Sequence, residues 1–572
     1  MGRSVGSRLN AYALATRHGA EHLWGEVRKQ LLPAVVVGVI VGLGVTLIDV
    51  AAYELLWGNV SQHLTPVTIV LFPTVGLLLS GLLLQKASDN PNVQGTEEYI
   101  DAYHEHQGVF SYGSVPGKVL AALATVGLGG SAGMEAPAIH LGSAVGSFVM
   151  KKLRRFGYSE DDVKRMAVAG AAAGVAAIFK APLTGVVFAL EVPYMDDMAH
   201  EALIPALVGS VTSYLVLVQF LGTEPLFRVA ARYMPTGADL GWALLLGVVV
   251  GVVALLFITS LHSVERLAGR VKLPLWARTG LGGLACGLLA LAGFALFGRP
   301  SVLGTGYETI TRLVAGSAGP AESFEFLALK VGATVATIGS GAAGGLFIPM
   351  IAMGAAAGSI MRGLVPSASG PLFPIVGMAA FLAAGYNTPI AAAVFVAEST
   401  GGAGYLIPGL VASVAAYTVA GRVSVSKRQR WRREDYVDRL MGLSVQDIMT
   451  KTVMTVPQDA SVRLFLDDYI LKHRRKGFPV TDGDRLVGFV SLSDIRDVSA
   501  DERDTTLIST LMATPAVSTR ANRPVGEVAA LMAQLDLDRV PVVAANDSSR
   551  LVGIISSTDI LALDKVFARE LG

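Results

Sequence analysis

Long apolar runs alternate with short polar breaks as far as Ala420, and after that the pattern changes. The runs fall near Leu32–Trp57, Pro66–Leu84, Val115–Gly129, Pro137–Met150, Val168–Lys180, Leu183–Val192, Ala202–Leu221 and Trp242–Leu261. They continue at Gly280–Phe297, Phe326–Gly339, Leu346–Met361, Phe373–Ala384, Ile390–Ala397 and Leu406–Ala420. This pattern predicts a polytopic bundle of membrane helices. Several runs are shorter than the about 20 residues needed to cross hydrocarbon. Half-spans of that kind survive only when buried in protein or lining a cavity. Beyond about Met441, short alternating β-branched runs separated by turn residues predict the strands of a soluble α/β unit.

The apolar region is duplicated. GGSAGMEAPAIHLGSAVG, Gly129 to Gly146, is matched by GAAGGLFIPMIAMGAAAGS, Gly341 to Ser359. One offset of 212 carries Gly133, Glu135, Pro137, Gly142 and Gly146 onto Gly345, Phe347, Pro349, Gly354 and Gly358. A second block, Gly170 to Glu191, aligns without gaps on Gly377 to Glu398 at an offset of 207. There Pro182, Phe188 and Glu191 meet Pro389, Phe395 and Glu398. Proline- and glycine-interrupted segments at matching places in two halves point to a binding site at the membrane midplane.

Chemistry concentrates at the head of the first block. The glycines let the backbone bend and expose its N–H groups, and Pro137 is compatible with a first helical turn. A helix N-terminus in a dry setting presents free N–H donors and a partial positive charge, so it is an anion site. Glu135 stands at that N-terminus, and an ionisable residue in an apolar stretch is costly enough to imply a function.

Composition agrees with a membrane protein carrying a soluble part. Of 572 residues, 52% are hydrophobic and 16% charged, with a mean hydropathy of +0.54. A net charge of +1 gives no bulk reason to expect a nucleic-acid partner. The single cysteine, Cys286, excludes an intramolecular disulfide and is expected to pack. Met1 to Gln30 lacks the apolar core of a cleaved signal and is expected to be a cytoplasmic segment, with a surface helix in it. Basic clusters at Lys151–Arg155 and Lys427–Arg433 place the end of the last span, and with it both termini, in the cytoplasm. Gly129 to Gly133 also fits G-x-S-x-G, but no strand precedes it and no base is identifiable, so an enzyme is not expected. The nine histidines show no metal-ligand spacing.

The expected organisation is a segment 1–30, a membrane domain 31–421 with repeats 31–222 and 238–421, and a basic linker 422–442. Two soluble units follow, 443–500 and 505–567. In these units Met449 corresponds to Met512, Pro479 to Pro541, Gly488 to Gly553 and Asp494 to Asp559. The pair resembles tandem cystathionine-β-synthase (CBS) domains. That resemblance implies a cleft for an adenine nucleotide such as ATP, ADP or AMP. Ser491 with Asp494, and Ser556 with Asp559, would face the ribose. The alternative is that these residues cap the helices that follow.

The membrane part resembles the CLC family of chloride channels and chloride/proton antiporters. G-M-E-A-P at Gly133–Pro137, G-G-L-F-I-P at Gly344–Pro349 and the stretch Phe179–Glu191 carry the likeness. It implies inverted repeats, a homodimer and one pore per subunit. It also implies that Glu135 gates the path by occupying an anion site itself. The implied donors are the backbone around Gly133, Met134 and Ala136 and around Leu346, Phe347 and Ile348, with the loop at Gln94 and Gly95 adding the Gln94 side-chain amide.

Four departures from the family pattern bear on mechanism. Gln94 falls where the family has a serine, and Met134 where it has an arginine. Val425 falls near the expected pore tyrosine, which predicts a wider inner gate. Val192 falls on the inner glutamate of the antiporters, which favours a channel. Proton-coupled antiport, and another anion such as nitrate or fluoride, stay open. Glu398, its companion in the second repeat, is the one candidate substitute carrier, but the repeat places it in the other half of the fold.

Overall fold

The computed structural model describes residues 29–92, 95–229, 233–365, 370–432, 440–473 and 477–570, the last without side chains for 564–570. Gln94, the surface helix expected in 1–30 and residues 433–439 of the basic linker lie outside the described residues. The chain forms two compact units, Met1–Arg432 and Arg433–Gly572.

The first unit is helical throughout. Its first half contains α1 (Lys29–Gln62), α2 (Pro66–Ala87), α3 (Thr96–Glu105), α4 (Val115–Gly127) and α5 (Glu135–Leu153). It closes with α6 (Glu160–Phe179), α7 (Pro182–Glu191) and α8 (Leu203–Leu221). The second half repeats the series as α9 (Gly237–Arg270), α10 (Leu275–Phe297), α11 (Tyr307–Ala315), α12 (Pro320–Gly339) and α13 (Phe347–Leu364). It ends in α14 (Leu372–Tyr386), α15 (Pro389–Thr400) and α16 (Leu406–Ala420). Seven helices among the described residues are long and apolar enough to cross a membrane. The protein is therefore an integral membrane protein. On α9, Leu244, Val248, Val252 and Leu256 are exposed, as a lipid-facing stripe requires.

The repeat is visible residue by residue. Gly133 and Gly345 pair as an isolated antiparallel bridge, with reciprocal N–H···O bonds of 2.9 and 2.8 Å. Equivalent residues that donate to one another lie across a local two-fold axis, the geometry of inverted repeats. Small residues set the packing. A Cβ on Gly142 would meet the carbonyl of Gly170, and one on Gly354 would meet that of Gly377. The same glycine-to-glycine contact thus joins α5 to α6 and α13 to α14. Cys286 is buried in α10.

The second unit carries a six-stranded sheet in the order β1-β2-β3-β6-β5-β4. Its strands are β1 (Val456–Pro457), β2 (Gly477–Asp482), β3 (Arg485–Ser491), β4 (Thr519–Arg520), β5 (Arg539–Ala544) and β6 (Asp547–Ser556). In each copy a parallel pair adjoins an antiparallel pair. The copies exchange edges: Thr450 bridges Ile554, and Phe489 bridges Ala513. Met449 accordingly packs on Gly553 and Met512 on Gly488. Helices α17 (Val525–Gln534) and α18 (Ser557–Glu570) complete the second copy.

Candidate functional site

The loop Gly129–Gly133 turns tightly between α4 and α5. Gly129 has a φ of 93°, and Gly130 N–H returns to the Thr125 carbonyl at 2.7 Å. The loop delivers Glu135 as the first residue of α5, with Met134 as its buried N-cap residue. Glu135 is 1% exposed. Its Oε1 accepts the Phe347 N–H at 2.5 Å, and its Oε2 is buried without a hydrogen-bond partner. Phe347 is the first residue of α13 and the repeat mate of Glu135. The carboxylate of one half therefore occupies the helix N-terminus of the other, where the helix dipole favours negative charge. Gly133 and Gly345 make room for it, since a Cβ on either would strike the carboxylate.

Rings surround this point. Phe347 lies 4.3 Å from Phe179, 5.4 Å from Phe188 and 4.9 Å from Phe395, measured between ring centroids. Below Glu135 a cavity of about 630 Å³ is lined by Thr96, Ala136, Gly345, Leu346, Tyr386 and Val425. Arg278, Lys427 and Arg428 also line it. A second cavity, about 500 Å³, is lined by Asp49, Tyr53, Lys180 and Tyr307. Tyr53 and Tyr307 lie within electrostatic reach of Glu135.

The sequence-predicted residues divide as follows. Glu135, Gly133, Met134 and Ala136 come together with Leu346, Phe347 and Ile348 at the crossing of α5 and α13. Gly95 caps α3 with a φ of 58°, against the Ala136 side chain. Val425 lines the cavity of about 630 Å³. Tyr386, which the sequence reading missed, lines the same cavity. It enters from the end of α14. The available signal was a lone hydroxyl-bearing ring in the apolar block Gly377–Glu398, opposite Phe179 in the repeat.

Val192 ends α7, fully buried. Its carbonyl accepts Gln429 Nε2 at 2.8 Å, and Gln429 also donates to the Tyr386 and Tyr194 carbonyls. Glu398 lies on α15 in the second half, with its carboxylate at the head of α7. Glu398 accepts the N–H groups of Leu183 and Thr184 at 2.9 and 2.7 Å, and the Thr184 hydroxyl at 2.6 Å. Glu191 answers from the other half, accepting Ile390 and Ala391 N–H at 3.2 and 2.9 Å. Each glutamate caps the short helix that carries the other, so both are committed to the fold.

In the soluble unit, Asp494 Oδ2 accepts the Ser491 N–H and hydroxyl, both at 2.7 Å. Asp559 Oδ2 does the same for Ser556 at 2.9 and 2.7 Å. The serine–aspartate pairs are therefore local caps, and these bonds leave Oδ1 of each carboxylate unused. Ser131 of the G-x-S-x-G match is buried and bonded to the Thr334 hydroxyl at 2.9 Å, an inter-repeat contact.

A buried carboxylate plugged into a helix N-terminus, inside a duplicated helical membrane unit, defines an anion channel or transporter rather than an enzyme. The family model for voltage-gated chloride channels matches residues 75–421, and CBS domains match 445–501 and 508–565. The chain belongs to that chloride channel and transporter family. It is 31% identical over 382 residues to a putative ClcB-like chloride channel protein of Ralstonia nicotianae, covering 65% of this chain and 87% of the relative. It is 29% identical to the voltage-gated ClC-type chloride channel ClcB of Escherichia coli O9:H4, covering 69% and 96%. Among solved structures, a CLC-type fluoride/proton antiporter superposes with a TM-score of 0.63 and 25% identity, covering 72% of this chain and 99% of that one. A eukaryotic CLC transporter shares the fold over 93% of this chain, with a TM-score of 0.60 and 20% identity.

Proposed function

We propose that the protein conducts chloride or a similar small anion passively, with Glu135 as the gate. The observation that carries this is the Glu135 carboxylate accepting the Phe347 N–H at the head of α13. An ionised carboxylate there competes with an anion for the same donors. Protonated or displaced, it leaves the backbone N–H groups around Ala136 and Leu346–Ile348 for the anion.

Passive conduction is supported by the residue at the family antiporters' inner glutamate position, which here is Val192. Val192 cannot titrate, and Glu191 and Glu398 are occupied at helix N-termini. A bare proton charge crossing this apolar region needs a relay. A second reading, proton-coupled antiport, has support from the fluoride/proton antiporter whose fold matches 72% of this chain. The test is purified protein in liposomes, with a pH gradient imposed at fixed chloride gradient. The expected reversal potential follows chloride alone. A shift in proportion to the pH gradient, or uphill proton movement driven by chloride or fluoride, overturns the channel reading.

We further infer a homodimer with both termini cytoplasmic, checked by light scattering and by protease access in oriented vesicles. A monomeric mass, or termini cut from outside, sinks that assignment. The CBS pair would regulate conduction by binding an adenine nucleotide. Oδ1 of Asp494 and Asp559 is then the acceptor for ribose hydroxyls. Calorimetry on the full chain should show heat with ATP, ADP or AMP that weakens in Asp494→Ala and Asp559→Ala. No heat with any of the three leaves the pair without this ligand.

A further inference from the structure

Three polar side chains run along one face of α12. Lys330, Thr334 and Thr337 are spaced by four and then three residues, which puts them on a single helix stripe. All three are fully buried. Two of them hold the loop that delivers Glu135. Thr334 Oγ1 meets the Ser131 hydroxyl at 2.9 Å, and Thr337 Oγ1 accepts the Ser131 N–H at 3.2 Å.

Lys330 reaches the same loop by a longer route. Its Nζ donates to the carbonyls of Val302 and Gly304 at 3.2 and 2.8 Å. Gly304 has a φ of 59°, and its N–H donates to the Gly129 carbonyl at 3.0 Å. A Cβ on Gly129 would meet Leu303 of the same turn at 3.8 Å. Gly129 opens the loop that ends at Glu135. A chain of hydrogen bonds therefore runs from Lys330 through the 302–304 turn to the base of the gate.

The repeat shows what is unusual about this lysine. The offset of 212 places Lys330 on Lys118, so both halves carry a buried ammonium. Lys118 has a counter-ion, Glu98 Oε2 at 2.5 Å. Lys330 meets neutral carbonyls, and no carboxylate pairs with it among the described residues. A buried cation without a counter-ion is expensive, and inside a membrane unit it marks a function. A charged donor also holds a carbonyl more firmly than a hydroxyl does.

We propose that Lys330 is a positioning residue for the gate. It clamps the 302–304 turn onto Gly129 and so keeps the Glu135 carboxylate on the Phe347 N–H, while Thr334 and Thr337 fix the same loop at Ser131. This rests on the reading of Glu135 as the gate of an anion path.

The experiment measures chloride flux from liposomes at a series of pH values, using the full chain, with melting in detergent recorded alongside. Lys330→Met keeps the length and removes the donors. It should raise flux at neutral pH about fivefold, the scale of one net hydrogen bond, and flatten part of the pH response. Added to Glu135→Ala it should change nothing further, because no carboxylate is left to position. Lys330→Arg, which keeps donors for both carbonyls, should retain the wild-type pH response. Should Lys330→Met fail to fold, Thr334→Val tests the same stripe: it should raise neutral flux in the wild type and leave Glu135→Ala unchanged. A wild-type pH response in the folded variant overturns the proposal. So does an equal change of flux with and without Glu135, which a merely structural role predicts. A Glu135→Ala protein that keeps the wild-type pH response removes the gate reading itself, whatever the Lys330 variants do.

Discussion

Replacing Glu135 with alanine should open the path and remove most of its response to pH. In the wild type the carboxylate accepts the Phe347 N–H, in the place an anion would take. A hydrogen bond to a charged group contributes about 1.5–3 kcal/mol. Removing that competitor should raise anion occupancy, and flux at neutral pH, by about tenfold or more, since each 1.4 kcal/mol is a factor of ten. The sign with pH follows from charge. Acid protonates the wild-type carboxylate, weakens its hold on the N–H and raises flux. Alanine has nothing to protonate, so its flux should be high and flat across the same range. Glu135→Gln should fall between, because a neutral amide still fills the space. Chloride efflux from liposomes at a series of pH values decides the matter. A Glu135→Ala protein that keeps the full wild-type pH response shows that the gate lies elsewhere.

Equivalences between the two repeats were legible in the sequence because they preserve register. The offset of 212 joins Gly133 to Gly345 and Glu135 to Phe347, and the structure makes the first pair a hydrogen-bonded bridge. The change of pattern after Met441 likewise separates two kinds of unit. What the sequence did not disclose is contact across the two-fold axis. An offset says which residues are equivalent, not which ones touch. Glu135 touches its own mate, whereas Glu191 touches the mates of Leu183 and Thr184. Tyr386 escaped for a related reason. It shares a cavity with Thr96 only because α14 ends where α3 begins, and those residues lie far apart along the chain.

The acidic stripe on α3 shows the same limit. Glu97, Asp101 and Glu105 recur every four residues and so share one helix face. Their partners lie past the last membrane helix. Lys427 N–H donates to Glu97 at 2.7 Å, Arg428 pairs with Asp101, and Arg430 with Glu105 at 2.6 Å. The basic cluster that the positive-inside rule reads as orientation therefore also ties residues 427–430 to the helix whose first residue lines the inner cavity.

Exchanging the two capping glutamates for alanine should cost stability while leaving ion coupling untouched. Glu191 is 5% exposed and satisfies two N–H groups at the start of α15. Glu398 satisfies two N–H groups and one hydroxyl at the start of α7. Loss of an N-terminal cap costs about 0.5–2 kcal/mol. Orphaned buried donors add about 1–3 kcal/mol more. Glu191→Ala, the more buried case, should therefore melt several degrees below the wild type in a detergent thermal-shift assay. Glu398→Ala should lose less, and the double variant should fall furthest because each glutamate holds the helix that presents the other. Glutamine keeps a carbonyl oxygen to accept one N–H, so Glu398→Gln should recover part of the loss. In liposomes the reversal potential of Glu398→Ala should still follow chloride alone. A carrier role predicts the opposite pair of results: near wild-type melting, together with loss of a pH-driven shift in reversal potential that the wild type displays. That outcome would free Glu398 from the cap and return it to a proton route.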